Sequence, residues 1–139
     1  MAQNTAPIFT QTPNIGFGII GATQNNDYNM ITGVSASVFT AGASGSYVTK
    51  IRVKPSGSTA AATVLRFFLN NGGATTNSAN NSLFAELSIP VITASTTLAQ
   101  NDFETPLNIA LPANWKIFGV SAGSGLTGGF EVTTIGGDY

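Results

Sequence analysis

The chain has no cysteine and no histidine, and only 8% of its 139 residues are charged. Without cysteine there is no disulfide staple, so core packing alone must hold the fold. The missing residue types also exclude His- and Cys-ligated metal sites. Thiol nucleophiles and Ser–His catalysis are excluded on the same ground. Five Lys and Arg against six Asp and Glu leave a net charge of -1, where an ordinary domain is roughly one-quarter charged. There is no basic surplus for general nucleic-acid binding, and little charge repulsion to keep copies apart. No apolar run approaches the roughly 20 residues of a membrane helix. Met1-Ala2-Gln3-Asn4 lacks the basic and apolar regions of a signal peptide. A charge-poor surface built from Thr, Ser, Asn and Gln suits a scaffold that ends in an assembly better than a free enzyme.

What is present is apolar and β-forming. Hydrophobic residues make up 42%, with nine Phe. A chain of this length fits one domain and buries about two-thirds of its unfolded surface. Strong helix formers are sparse, while Thr, Val, Ile, Phe and Gly are frequent. Short apolar runs are separated by Gly, Asn, Ser and Pro clusters, an all-β pattern. Residues 1–14, with Pro7 and Pro13, predict an extended N-terminal arm, and 15–139 a single β-sandwich. Strands are expected over 15–20, 35–40, 47–54, 63–69, 83–89, 102–111, 115–121 and 130–135. About eight antiparallel strands without a crossover helix suit a jelly roll. An immunoglobulin-like sandwich would lack its Cys…Trp…Cys signature.

Several local patterns carry more detail. Over 47–54, strict alternation sets Tyr47, Thr49, Ile51 and Val53 on one face and Val48, Lys50, Arg52 and Lys54 on the other. Over 83–89, Leu83, Ala85, Leu87 and Ile89 oppose Phe84, Glu86 and Ser88. The run 63–69 is mostly apolar and predicts cover on both faces, with Arg66 needing a partner. Adjacent Phe67 and Phe68 must face opposite sides. Asn70-Asn71-Gly72-Gly73 marks a turn that opens a long polar loop. Gly16 and Gly18 weaken the first strand or permit a close backbone approach. Pro106 suggests an edge or a bulge.

Candidate chemistry is thin. Asp102 and Glu104 sit two apart and share a strand face; they could form half of a glycosidase pair, but a solvated edge strand is the simpler reading. Gly16-Phe17-Gly18-Ile19-Ile20-Gly21 has the spacing of a dinucleotide fingerprint, yet no helix follows to cradle a phosphate. No catalytic, cofactor or metal residues are assigned, and no enzyme activity is expected. Lys50, Arg52 and Lys54 hold three of the five basic residues on one strand face, a strip that could dock on an acidic partner. Trp115 reads as core or corner packing.

Five segments carry a resemblance: Ala6-Pro7-Ile8-Phe9-Thr10, Leu65-Arg66-Phe67-Phe68-Leu69-Asn70-Asn71-Gly72, Ala79-Asn80-Asn81-Ser82-Leu83-Phe84, Ala110-Leu111-Pro112-Ala113 and Ile135-Gly136-Gly137-Asp138-Tyr139. They resemble small proteins of tailed-phage and prophage structural regions, and most of all the jelly-roll cement, or decoration, protein of a short-tailed phage. The resemblance covers most of the chain but carries no catalytic signature. It implies a virion protein, made in the host cytoplasm, that binds the outer surface of an icosahedral capsid. There it clamps neighbouring major capsid subunits, and a homodimer is favoured over a trimer. The expected contacts come from the residues themselves: Pro7, Ile8 and Phe9 of the arm, Lys50, Arg52 and Lys54, and Asp138 and Tyr139 of the tail. A carbohydrate-binding sandwich module is the alternative, with Tyr28, Tyr47 and Trp115 as candidate platforms.

Overall fold

The computed structural model describes residues 9–139. Eight strands follow in chain order: β1 (Thr12–Ile20), β2 (Ala36–Thr40), β3 (Ser46–Pro55), β4 (Thr63–Asn70), β5 (Asn81–Ile89), β6 (Phe103–Leu111), β7 (Lys116–Ser121) and β8 (Phe130–Asp138). They form two four-stranded antiparallel sheets, ordered β1-β8-β3-β6 and β2-β7-β4-β5. This is the jelly-roll order expected from the strand count. The core lies between the sheets, with Val48, Ile51, Val53, Phe130 and Val132 meeting Val38, Phe39, Leu65, Phe67 and Ile117.

Strand β1 begins earlier than the sequence suggests. Thr12, Pro13 and Asn14 already belong to β1, opposite Asp138, Gly137 and Gly136 of β8. Prolines at the sheet edge cost no ladder bond, which is why Pro13 fits there. Pro7 and Ile8 lie outside the described residues; Phe9 is the first described and is exposed. The tail is likewise strand through Asp138.

The alternation over 47–54 breaks at Thr49. The register of β3 shifts between Val48 and Lys50 against both neighbours. This bulge adds one residue and turns the following side chains to the opposite face. Val48 therefore joins Ile51 and Val53 in the core, while Tyr47 and Thr49 lie on the outer face with Lys50, Arg52 and Lys54. Strand β5 also departs from strict alternation: Ala85 pairs with Phe67 but Leu83 with Phe68, so Phe84 is an extra residue. Ala85, Leu87 and Ile89 face the core as the sequence predicts, while Leu83 packs on the outer side with Phe68.

Phe67 and Phe68 do face opposite sides. Phe67 enters the core between the sheets, and Phe68 packs on the far side with Met30 and Val120, beneath the loop 21–35. Arg66, also on that outer side, has found its partners: Glu86, Asn26 and the Tyr28 ring. Trp115 packs against the main core. Asn side chains organise the turn after β4: Asn70 accepts the Gly72 N–H at 2.9 Å and donates to Asn81 at 2.8 Å.

Candidate functional site

Strand β1 is built inside out. Its inward positions are Gly16 and Gly18, and its outward positions are Ile15, Phe17 and Ile19. A Cβ at Gly16 would fall on the Val38 carbonyl oxygen, and one at Gly18 would lie 2.6 Å from that of Ser37. The two edge strands β1 and β2 thus meet backbone to backbone and close one side of the sandwich. The glycines permit the close approach that the sequence suggested. The bulk of the strand is left to solvent: Ile15, Phe17 and Ile19 are 59%, 82% and 66% exposed. Scattered apolar residues are ordinary on a surface, but three in register along one strand make a continuous column.

The column borders the outer face of the β1-β8-β3-β6 sheet. Ile15 stands opposite Ile135, Phe17 opposite Thr133, and Ile19 opposite Glu131. Next come Lys50, Arg52 and Lys54 on β3, then the carboxylates at the start of β6. Lys50 Nζ reaches Glu104 at 3.1 Å, Lys54 Nζ reaches Asp102 at 3.0 Å, and Arg52 also pairs with Asp102. The expected basic strip is therefore not a free positive surface. Strand β6 lies beside β3 with Glu104 in register with Arg52, so every cation of the strip has an acidic neighbour. Hydrogen bonds from Arg52 and Lys54 hold the Asp102 carboxyl below its usual range, and the same Asp102 contact raises the Arg52 guanidinium. Asp102 and Glu104 do share a face, as their spacing implied, and both are engaged by cations of β3.

The lower end of the same face gathers other expected residues. Phe9 and Tyr139, from the two ends of the described chain, meet Thr10 and Tyr47 around a shallow hollow of about 320 Å³. The Tyr139 N–H donates to the Gly45 carbonyl at 3.2 Å. Asp138 is placed differently. Its carboxylate accepts from Asn14 at 2.7 Å, from the Gly42 N–H at 3.3 Å and from the Ser46 hydroxyl. It latches the fold at this corner.

The face thus brings together Phe9, Lys50, Arg52, Lys54 and Tyr139, and adds Ile15, Phe17, Ile19 and Ile135. The added residues had a signal in the sequence: Ile15-Gly16-Phe17-Gly18-Ile19 alternates large apolar residues with glycine. Such a strand has nothing large to bury on its glycine side, so the bulk must face away from its own core. Among the described residues, no group of three or more acidic side chains could hold a metal ion.

No family model and no curated protein sequence matches the chain. Among solved structures, it is similar to a chain of the capsid asymmetric unit of cyanophage Pam1, at 12% identity and a TM-score of 0.41, over 99% of this chain and 94% of that one. It is also similar to a chain of infectious bursal disease virus, Gt strain, at 13% identity and a TM-score of 0.34, over 98% of this chain and 36% of that one.

Proposed function

We propose that the chain is a capsid-associated structural protein that docks through the outer face of the β1-β8-β3-β6 sheet. It binds the outer surface of an icosahedral phage shell and cements neighbouring major capsid subunits. The observation that carries the reading is the Ile15, Phe17 and Ile19 column on an edge strand whose inner face is glycine. The fold does not use these side chains, and burying each against a partner contributes up to about 1.5–3 kcal/mol. The neighbouring charges are balanced, three basic against Asp102, Glu104 and Glu131, so covering them requires no strongly charged partner.

Strand spacing and rise give this face roughly 500 Å², less than the about 800 Å² that each partner contributes to a stable interface. One copy is then held weakly. Simultaneous contacts from the arm, or a second copy, supply the avidity that a lattice offers. The sequence resemblance to cement proteins supports the same reading, and pairing as a homodimer is its expected free state.

Co-sedimentation with expanded and unexpanded shells of the encoding phage tests it. Saturable binding to expanded shells is the expected result, lost in a Phe17→Ser, Ile19→Thr double variant whose melting temperature is unchanged. Absence of binding to either shell overturns the reading. Native mass of the free protein checks the homodimer.

A further inference from the structure

The other sheet carries an open groove that docking on the β1 side leaves untouched. It is a cavity of about 780 Å³ on the outer face of the β2-β7-β4-β5 sheet, beside the loop 21–35 that covers Phe68. The volume lies within the range of small-molecule sites, about 300–1,000 Å³. Val64 and Ser88 belong to its floor, and Asn26, Tyr28 and Gly123 to its walls, with Arg66 also on its lining.

Two features make it a prepared site. First, Arg66 is only 7% exposed yet lines the cavity. Its Nε donates to Glu86 at 2.9 Å, its Nη1 donates to the Asn26 carbonyl at 3.0 Å, and its Cζ lies 3.9 Å from the centre of the Tyr28 ring. The guanidinium is fixed on three sides, while Nη2 has no hydrogen-bond partner among the described residues. Second, the wall is braced: the Asn26 side chain accepts from the Gly123 N–H at 2.7 Å and donates to the Gly123 carbonyl at 3.4 Å. The polar groups are held in place before any ligand arrives, which lowers the ordering cost of binding.

The chemistry narrows the ligand. Glu86 compensates the Arg66 charge, so the groove favours neither an anion nor a cation. Most of the lining is carbon, with a few hydrogen-bonding groups at separate points. The Tyr28 ring is 67% exposed, with the guanidinium packed against it. A ring with one apolar face and a rim of hydroxyls meets these demands: its apolar face lies on the carbon of Val64 and Pro90, its side against the edge of the Tyr28 ring that Arg66 supports, and its oxygens accept from Arg66 Nη2 and exchange hydrogen bonds with Ser88. We propose that this groove binds a neutral saccharide, a function separate from docking.

NMR titration of the full chain with neutral disaccharides (maltose, lactose and cellobiose) tests this, with adenosine as a flat-ring control. The expected result is saturable shifts of the Asn26, Arg66, Ser88 and Gly123 amides with at least one sugar. Tyr28→Ala, at an exposed position, is expected to weaken that binding about tenfold, and Phe17→Ser to leave it unchanged. Silence with all three sugars, shifts confined to other residues, stronger binding of adenosine, or equal binding by Tyr28→Ala overturns the assignment. None of these outcomes bears on shell binding, which is read separately.

Discussion

Asn14 donates to the Asp138 carboxylate at 2.7 Å across 124 positions of sequence. Asn14 also donates to the Thr40 carbonyl at 3.0 Å, and Asp138 receives Ser46 and the Gly42 N–H. One acid therefore ties β1, β8, β2 and the turn into β3 at a single corner. Burial opposes its charged form, but the Ser46, Asn14 and Gly42 hydrogen bonds outweigh that and hold the carboxyl below its ordinary range. The folded state then binds the proton less tightly than the unfolded chain. The stabilisation is complete above the unfolded value of about 4 and is lost as pH falls through the lower folded value. Melting temperature measured against pH is expected to fall more steeply for the wild type than for Asp138→Asn across this window. The variant is the less stable at neutral pH, and the curves converge in acid. Parallel curves would show that Asp138 does not carry the acid sensitivity.

The contact of β1 with β2 makes a sharper test. A methyl at Gly16 or Gly18 would strike backbone carbonyls of β2, which cannot swing aside as a side chain can. Gly16→Ala and Gly18→Ala are each expected to cost about 1–3 kcal/mol. Gly21→Ala meets nothing within 4 Å and serves as the control, neutral or slightly stabilising through the unfolded state. Denaturant unfolding ranks the three, and equal losses would remove the close approach as the cause.

How much of this was legible before the structure depends on whether the signal is local. Alternation over Ala85 to Ile89, the turn at Asn70–Gly73 and the opposed Phe67 and Phe68 are properties of a few adjacent residues, and all appear as expected; Leu83, beyond the register break at Phe84, does not. The Thr49 bulge is not local. It depends on how β3 pairs with both β6 and β8, and it moved Val48 into the core and Tyr47 and Thr49 out of it. Pairing also decides the fate of the basic strip, since nothing in Lys50, Arg52 and Lys54 states that Asp102 and Glu104 lie alongside. The glycines of β1 allowed either a weak strand or a close backbone approach, and the structure shows the approach, to β2; its consequence, the outward column of Ile15, Phe17 and Ile19, follows only once that side is known to face another backbone.

The two Phe clusters predict separable losses. Phe67→Ala opens a cavity between the sheets and is expected to cost about 3–5 kcal/mol in global stability. Phe68 lies outside that layer, held with Met30 under the loop 21–35. Phe68→Ala is expected to raise amide exchange in this loop more than in β3 and β8, because the loop can open while the sheets stay packed. Uniform exchange across the chain in both variants would mean that the outer cluster is part of one cooperative core.

The paired charges make a prediction about salt. A free basic strip would lose docking strength steeply as ionic strength rises, since its attraction would act over a Debye length of about 10 Å at 0.1 M. Lys50, Arg52 and Lys54 already face Glu104 and Asp102 within the same sheet, so little net field reaches a partner. Shell binding is therefore expected to change little between about 0.1 M and 1 M salt, where the Debye length falls to about 3 Å. It should be governed by Ile15, Phe17 and Ile19. Reversing two of the cations, Lys50→Glu with Arg52→Glu, places like charges beside Asp102 and Glu104. That variant is expected to dock poorly at low salt and to recover at high salt as the repulsion is screened. Steep salt loss in the wild-type protein would return the docking energy to the basic residues and take it from the apolar column.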